Sequence, residues 1–170
     1  MGSGATKAVG NPWYEARMVA ARMDSRLSSR EGAAELLGMS VSAVADAELG
    51  LHKAMPADKA VLMADLYNAP SLLNWYCLHE CPIGKGRPIS DETVELERAV
   101  VRLTRSLRKE AVQYFKHGLQ DIAADGRITK DEFDRLDRIV EGLRDVARII
   151  SELEVIRDKV RKESIWEKKR

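Results

Sequence analysis

Residues 28–50, SSREGAAELLGMSVSAVADAELG, constrain the fold more than any other stretch of the chain. They read as two short helices around a tight turn. Ser29 caps the first helix, and Glu31 falls in its first turn, where the helix dipole favours an acid. Ala33, Leu36 and Leu37 supply its apolar face. Gly38 follows directly and is free to take the left-handed backbone that ends a helix. Ser40 caps the second helix, Val44 and Ala47 face inward, and Gly50 closes it. Helix, short glycine turn, helix, with small residues where the two cross, is the helix-turn-helix pattern.

Flanking segments extend the helical reading on both sides. Asn11-Pro12 is a helix start, a capping residue followed by Pro at the first helical position. That helix is predicted from Pro12 to Met23. Pro56 opens a fourth helix through Leu66 with Val61, Leu62 and Leu66 inward, and Pro70-Ser71 opens a fifth, stopped by Pro82. The stretch CPIGKGRPIS holds two Pro and two Gly, which marks a linker. Residues 1–10, MGSGATKAVG, read as a flexible leader. The predicted organisation is therefore a leader at 1–10, a helical domain at 11–82, a linker at 83–90 and a C-terminal region at 91–170.

In that last region the apolar spacing alternates between three and four, the mark of one buried helical stripe. It predicts a helix from Ser90 to about Ala124 carrying Leu96, Val100, Leu103, Leu107, Ala111, Tyr114, Phe115, Leu119 and Ile122. Asp125-Gly126 breaks it. Thr129, with Glu132 three residues on, is a capping box for a second long helix reaching toward Glu167. That helix carries Phe133, Leu136, Val140, Leu143, Ala147, Ile150, Leu153, Ile156 and Val160. Two such helices form a hairpin with apolar surface left over, which a second copy would cover, so a homodimer is expected. The fold class expected is all-α: five helices, then a long C-terminal hairpin.

Composition agrees with this reading. Charged residues make up 32% of the chain and aromatics only 5%, which suits aliphatic cores between long helices with solvated faces. No apolar run approaches the length needed to span a bilayer, and no signal-peptide pattern appears. A cytoplasmic protein with no membrane partner is expected. Net charge is +1 for the whole chain. From Pro12 to Pro82, however, six bases stand against nine acids.

The frame AELLGMSVSAV followed by ELG, with Gly38, Ser40, Val44, Glu48 and Gly50 in register, resembles the lambda-repressor-like (Cro/XRE-type) helix-turn-helix domain. It is most similar to regulators of phages and mobile elements whose domain ends in a segment like YCLHECPIG. The resemblance covers residues 11–86, about half of the chain. It implies a five-helix domain that binds double-stranded operator DNA as a dimer, with the second helix of the motif in the major groove. Its base-reading positions fall on Ser40, Val41, Ser42 and Asp46. Serine hydroxyls donate or accept with several bases, Val touches a thymine methyl, and Asp accepts from a cytosine amino group. Its phosphate-contacting positions fall on Arg30, His52 and Lys53, with Lys59 a further candidate. It also implies an ion pair between the acid near the end of the second helix, Glu48, and a base on the first, Arg22 or alternatively Arg17. The acidic balance of this half speaks against simple DNA binding. It leaves a second reading open, a helical adaptor whose helix-turn-helix face binds protein.

Other motifs carry less chemistry. Cys77, His79 and Cys81 have the side chains of metal ligands, but one chain supplies three where a structural zinc takes four. The run DIAADGRITKDE has Gly126 and Glu132 at calcium-loop positions, yet Ala123 stands where an oxygen ligand belongs and Arg127 brings a positive charge. Both segments are read as structural, and no cofactor or metal is expected. There is no Gly-rich phosphate loop, nucleophile elbow or HExxH, so an enzyme is not expected.

Overall fold

Side-chain caps fix the N-terminal helices in this computed structural model, which describes residues 7–52 and 55–167, with side chains described as far as Ser164. Asn11 accepts from the amides of Trp13 and Tyr14 and opens α1, Pro12–Ala20. The helix stops at Ala20 rather than Met23, because Asp24 accepts from the Arg26 amide and starts a separate 3₁₀ turn, Ser25–Ser28. Ser29 caps α2, Arg30–Leu37, and Gly38 ends it in the left-handed region at φ 61°. Ser40 caps α3, Val41–Leu49, and Gly50 ends it in the same way. Then come α4, Ala57–Leu66, and α5, Ser71–His79, each following a proline. Three further helices complete the chain: α6, Leu96–Ser106, α7, Lys109–Ile122, and α8, Lys130–Glu167. Among the described residues all regular structure is helical, and no helix is long and apolar enough to cross a membrane.

Two compact units result. The first is Met1–Lys85 together with α8 from Asp158 onward, and the second is Gly86–Arg157. The C-terminal region expected at 91–170 is thus shortened at its far end. Within the first unit, Lys162 binds Asp65 at 2.6 Å. Of the expected leader, residues 1–6 lie outside the described residues. Residues 7–10 form a turn in which Ala8 is fully buried and its carbonyl accepts from the Asn11 amide.

Trp13, Leu27, Ala33, Leu37, Val44, Ala47, Met63 and Tyr67 form the core of the first unit. On α4 the buried side chains are Ala60, Met63 and Ala64, while Val61 and Leu62 are exposed. The expectation of Val61 and Leu62 inward was off by one step around the helix. Ala60 and Ala64 share one buried cluster with Ala33 and Ala34 of α2, and small side chains on both helices permit close packing there. Gly32 has a similar cause: a Cβ there would run into the carbonyl of Arg26 in the 3₁₀ turn.

In the second unit the spacing predicts one helix from Ser90 to Ala124, and the structure has two. The backbone leaves the helical region at Arg108, φ −58° and ψ 150°, with neither Pro nor Gly to mark it. The reason is geometric. Phe115 of α7 faces Gly142, whereas Ala99 of α6 shares a core cluster with Ile149. In one straight helix, residues 99 and 115 would lie about 24 Å apart, yet residues 142 and 149 of α8 are only about 10 Å apart. The break at Leu107–Arg108 lets α7 pack at Ile139 and Gly142 and α6 at the following stretch of α8, Ile149 and Glu152. Gly118 against Ile139 and Gly142 against Phe115 bring α7 and α8 together. Ile139, Val146, Ile149 and Glu152 are the buried residues of α8, whereas Val140, Leu143 and Ile150 of the predicted stripe are exposed. The capping box at Thr129 and Glu132 forms as expected, with the Glu132 carboxylate accepting from the Thr129 amide at 2.8 Å.

Candidate functional site

α3 is held by its inner face. Val44, Ala47 and Glu48 are buried, and the Ala47 carbonyl accepts from the Asn11 side-chain Nδ2 at 3.1 Å, tying the end of α3 to the start of α1. What remains outward is short: Val41, Ser42 and Asp46 are exposed, with Ala43 and Ala45 half-buried beside them. The Ser40 and Ser42 hydroxyls share a hydrogen bond of 3.0 Å, and Ser40 also caps the helix through the Ala43 amide.

Four of the residues singled out above, Ser40, Asp46, His52 and Lys59, line one open depression of about 380 Å³. Gly38, Met39, Ala43, Ala47, Met55 and Pro56 complete its wall. It lies between the α2–α3 turn and the start of α4. Lys53 falls outside the described residues.

Two of the expected phosphate ligands are engaged elsewhere. The Arg30 Nε donates to Glu48 Oε2 at 2.7 Å, which draws its guanidinium toward the domain interior. His52 uses both ring nitrogens, one 2.9 Å from Glu80 Oε2 and the other 3.2 Å from the Asp46 carbonyl. Glu80 also accepts from the Trp13 indole at 3.4 Å, so this acid links α1, the loop after α3 and the end of α5.

The ion pair at Glu48 corrects the expected pairing with Arg22. Arg22 is exposed beyond the end of α1. The partner is Arg17, whose Nε and Nη2 lie 2.5 and 3.1 Å from the two Glu48 oxygens and whose Nη1 donates to the Leu27 carbonyl at 2.8 Å. Because α1 ends at Ala20, the arginine one helical turn earlier faces the core. Burial lowers the Arg17 pKa, but the bond and charge of Glu48 outweigh it, and the net shift is upward. Arg30, half-buried, adds a second cation to the same buried carboxylate.

Burial, followed by the charge of Cys81, pushes the Cys77 thiol up, which disfavours the thiolate that metal binding or redox chemistry needs. In the calcium-loop-like segment, Glu132 is engaged in the capping box and Asp121 pairs with Arg135 at 3.1 Å. Among the described residues no group of three or more His, Cys, Asp or Glu side chains is placed to hold a metal ion. Two groups escaped the sequence reading: the Glu80 hub, and the buried Glu152, which Arg102 meets at 2.9 Å; Arg17, named there as the alternative partner of Glu48, takes the place given first to Arg22. Glu152 carried a signal, since it stands three residues after Ile149 and four before Ile156 on the apolar stripe. Comparison with protein-family models, curated proteins and solved structures returns no match.

Proposed function

We propose that this chain is a sequence-specific double-stranded DNA-binding regulator, repressor-like and dimeric, of the lambda-repressor-like kind found in phages and mobile elements, and not an enzyme. The observation that carries the reading is the α2–α3 unit. Gly38 in the left-handed region and the Ser40 cap set the angle between the helices, and α3 turns only short side chains outward. In this reading Ser40, Val41, Ser42 and Asp46 meet base edges. Lys59, Lys53 and the free end of Arg30 meet phosphate, and His52 does so when Glu80 releases it.

Selection from a random duplex library, followed by a salt titration of the selected sites, tests this. Ser42→Ala and Asp46→Asn should change which sequence is preferred. Lys59→Ala should weaken binding to all sequences and flatten the salt slope by about one unit. Absence of binding to any duplex at low salt would refute the reading.

One observation favours a second reading, a protein-binding adaptor. The outward face of α3 bears no cation, and both Arg17 and Arg30 are directed onto Glu48. That reading expects no DNA affinity at any salt concentration.

A further inference from the structure

α8 carries two apolar stripes side by side. One holds Ile139, Val146 and Ile149 and is covered within the chain, where α7 meets Ile139 and α6 meets Ile149. The other is Phe133, Leu136, Val140, Leu143, Ala147 and Ile150, spaced three and four residues alternately. Four of its five large members stay open to solvent: Phe133 is 59% exposed, Val140 41%, Leu143 40% and Ile150 47%, while Leu136 is half-buried. A strict three-four repeat on an exposed helix face is the seam of a coiled coil.

Charge along this seam has a direction. Asp134 and Asp137 flank its first half, and Arg144 and Arg148 flank its second. Two parallel copies would set acid against acid and base against base. Two antiparallel copies would set the aspartates of each against the arginines of the other. The apolar pattern is self-complementary in the same orientation: Phe133 meets Ile150, Leu136 meets Ala147, and Val140 meets Leu143. Glu141, near the dyad, pairs with Arg144 at 3.2 Å and Asp145 pairs with Arg148, so each arginine would bridge a carboxylate of its own helix and an aspartate of the other copy.

We infer that the occupant of this face is a second copy of the chain, paired antiparallel through residues 133–150 of α8. The inference rests on the dimer of the reading above, but not on DNA as its ligand. Pairing requires no change in the covered stripe, since the two stripes lie on adjacent faces of the helix.

Cross-linking tests the register. Chains bearing Phe133→Cys and chains bearing Ile150→Cys are oxidised separately and as a mixture, and the 133–150 disulfide is identified by peptide mapping, which sets aside Cys77 and Cys81. The mixture should form that disulfide at least about tenfold more than either chain alone forms its own 133–133 or 150–150 link, because a disulfide tolerates only a narrow Cβ separation. Self-links within each single variant would overturn the antiparallel pairing while leaving a dimer. Light scattering of the unmodified chain should give twice the chain mass. A single-chain mass at tens of micromolar would overturn the pairing and the dimer together. Neither result depends on DNA, whose binding is measured separately on the same samples.

Discussion

Glu48 and Tyr67 are the two buried polar residues whose chemistry is most exposed to test. Glu48 compensates Arg17 deep in the first unit, and removing one partner of such a pair strands the other charge. Glu48→Ala should therefore cost about 3–5 kcal/mol, read by urea unfolding of the isolated variant. Arg17→Met in the same chain should recover part of it. Tyr67 is buried and its hydroxyl has no partner among the described residues. Burial first, and then the nearby Glu48 charge, hold its pKa far above the ordinary phenol value. The folded chain thus keeps a proton that the unfolded chain releases at about pH 10. Its contribution to stability is complete below that pH and falls away as the pH rises beyond it. Tyr67→Phe should flatten the alkaline fall. At neutral pH it should lie within about 1 kcal/mol of the parent or be more stable, since no hydrogen bond is lost. A large loss of stability at neutral pH would mean that the hydroxyl has a partner.

At the scale of elements, close approach decides more than helix propensity does. Ala is the better helix former than Gly by about 1 kcal/mol, so Gly32→Ala in α2 would stabilise an isolated helix. Here the added methyl meets the rigid backbone of Arg26. The expected outcome is the opposite sign, a loss of about 1–3 kcal/mol by thermal or chemical unfolding. Gly38 and Gly50 end their helices at φ 61° and φ 64°, where a side chain is strained. The same preference for contact over local pattern explains α6 and α7. Their apolar spacing is continuous, and the break at Leu107–Arg108 answers to where each meets α8, α7 at Gly142 and α6 at Ile149.

For the whole molecule, assembly and binding are linked in the proposed function. Leu143→Asp with Ile150→Asp alters two side chains that are already 40% and 47% exposed, so each unit should fold as before. The double variant should sediment as a single chain and keep its helical circular dichroism. If dimers hold two α3 helices on successive major grooves about 34 Å apart, its DNA affinity should fall with its mass, and selected sites of the parent should be palindromic. Retention of both full mass and full affinity by this variant would remove the seam from the mechanism.

Local signals determined the elements that depend on one or a few neighbouring residues. Asn11, Ser29, Ser40, Gly38, Gly50 and the Thr129–Glu132 box were legible because a cap is formed within a single turn. The outward face of α3 was legible for a similar reason, since Val44 and Ala47 fix its rotation by spacing alone. Tertiary structure decided the rest. The Arg17 partner depends on where α1 stops, the buried face of α4 on the cluster that Ala60 and Ala64 share with α2, and the tethering of Arg30 and His52 on acids 18 and 28 residues away. Periodicity singled out one stripe on α8, Phe133 to Val160, whereas Ile139, Val146 and Ile149 on the adjacent face are the apolar residues that are buried. Which stripe is covered within the chain and which is left for a partner was settled only by the positions of Gly118, Gly142 and Ala99, because a repeat in sequence specifies a face but not what packs on it.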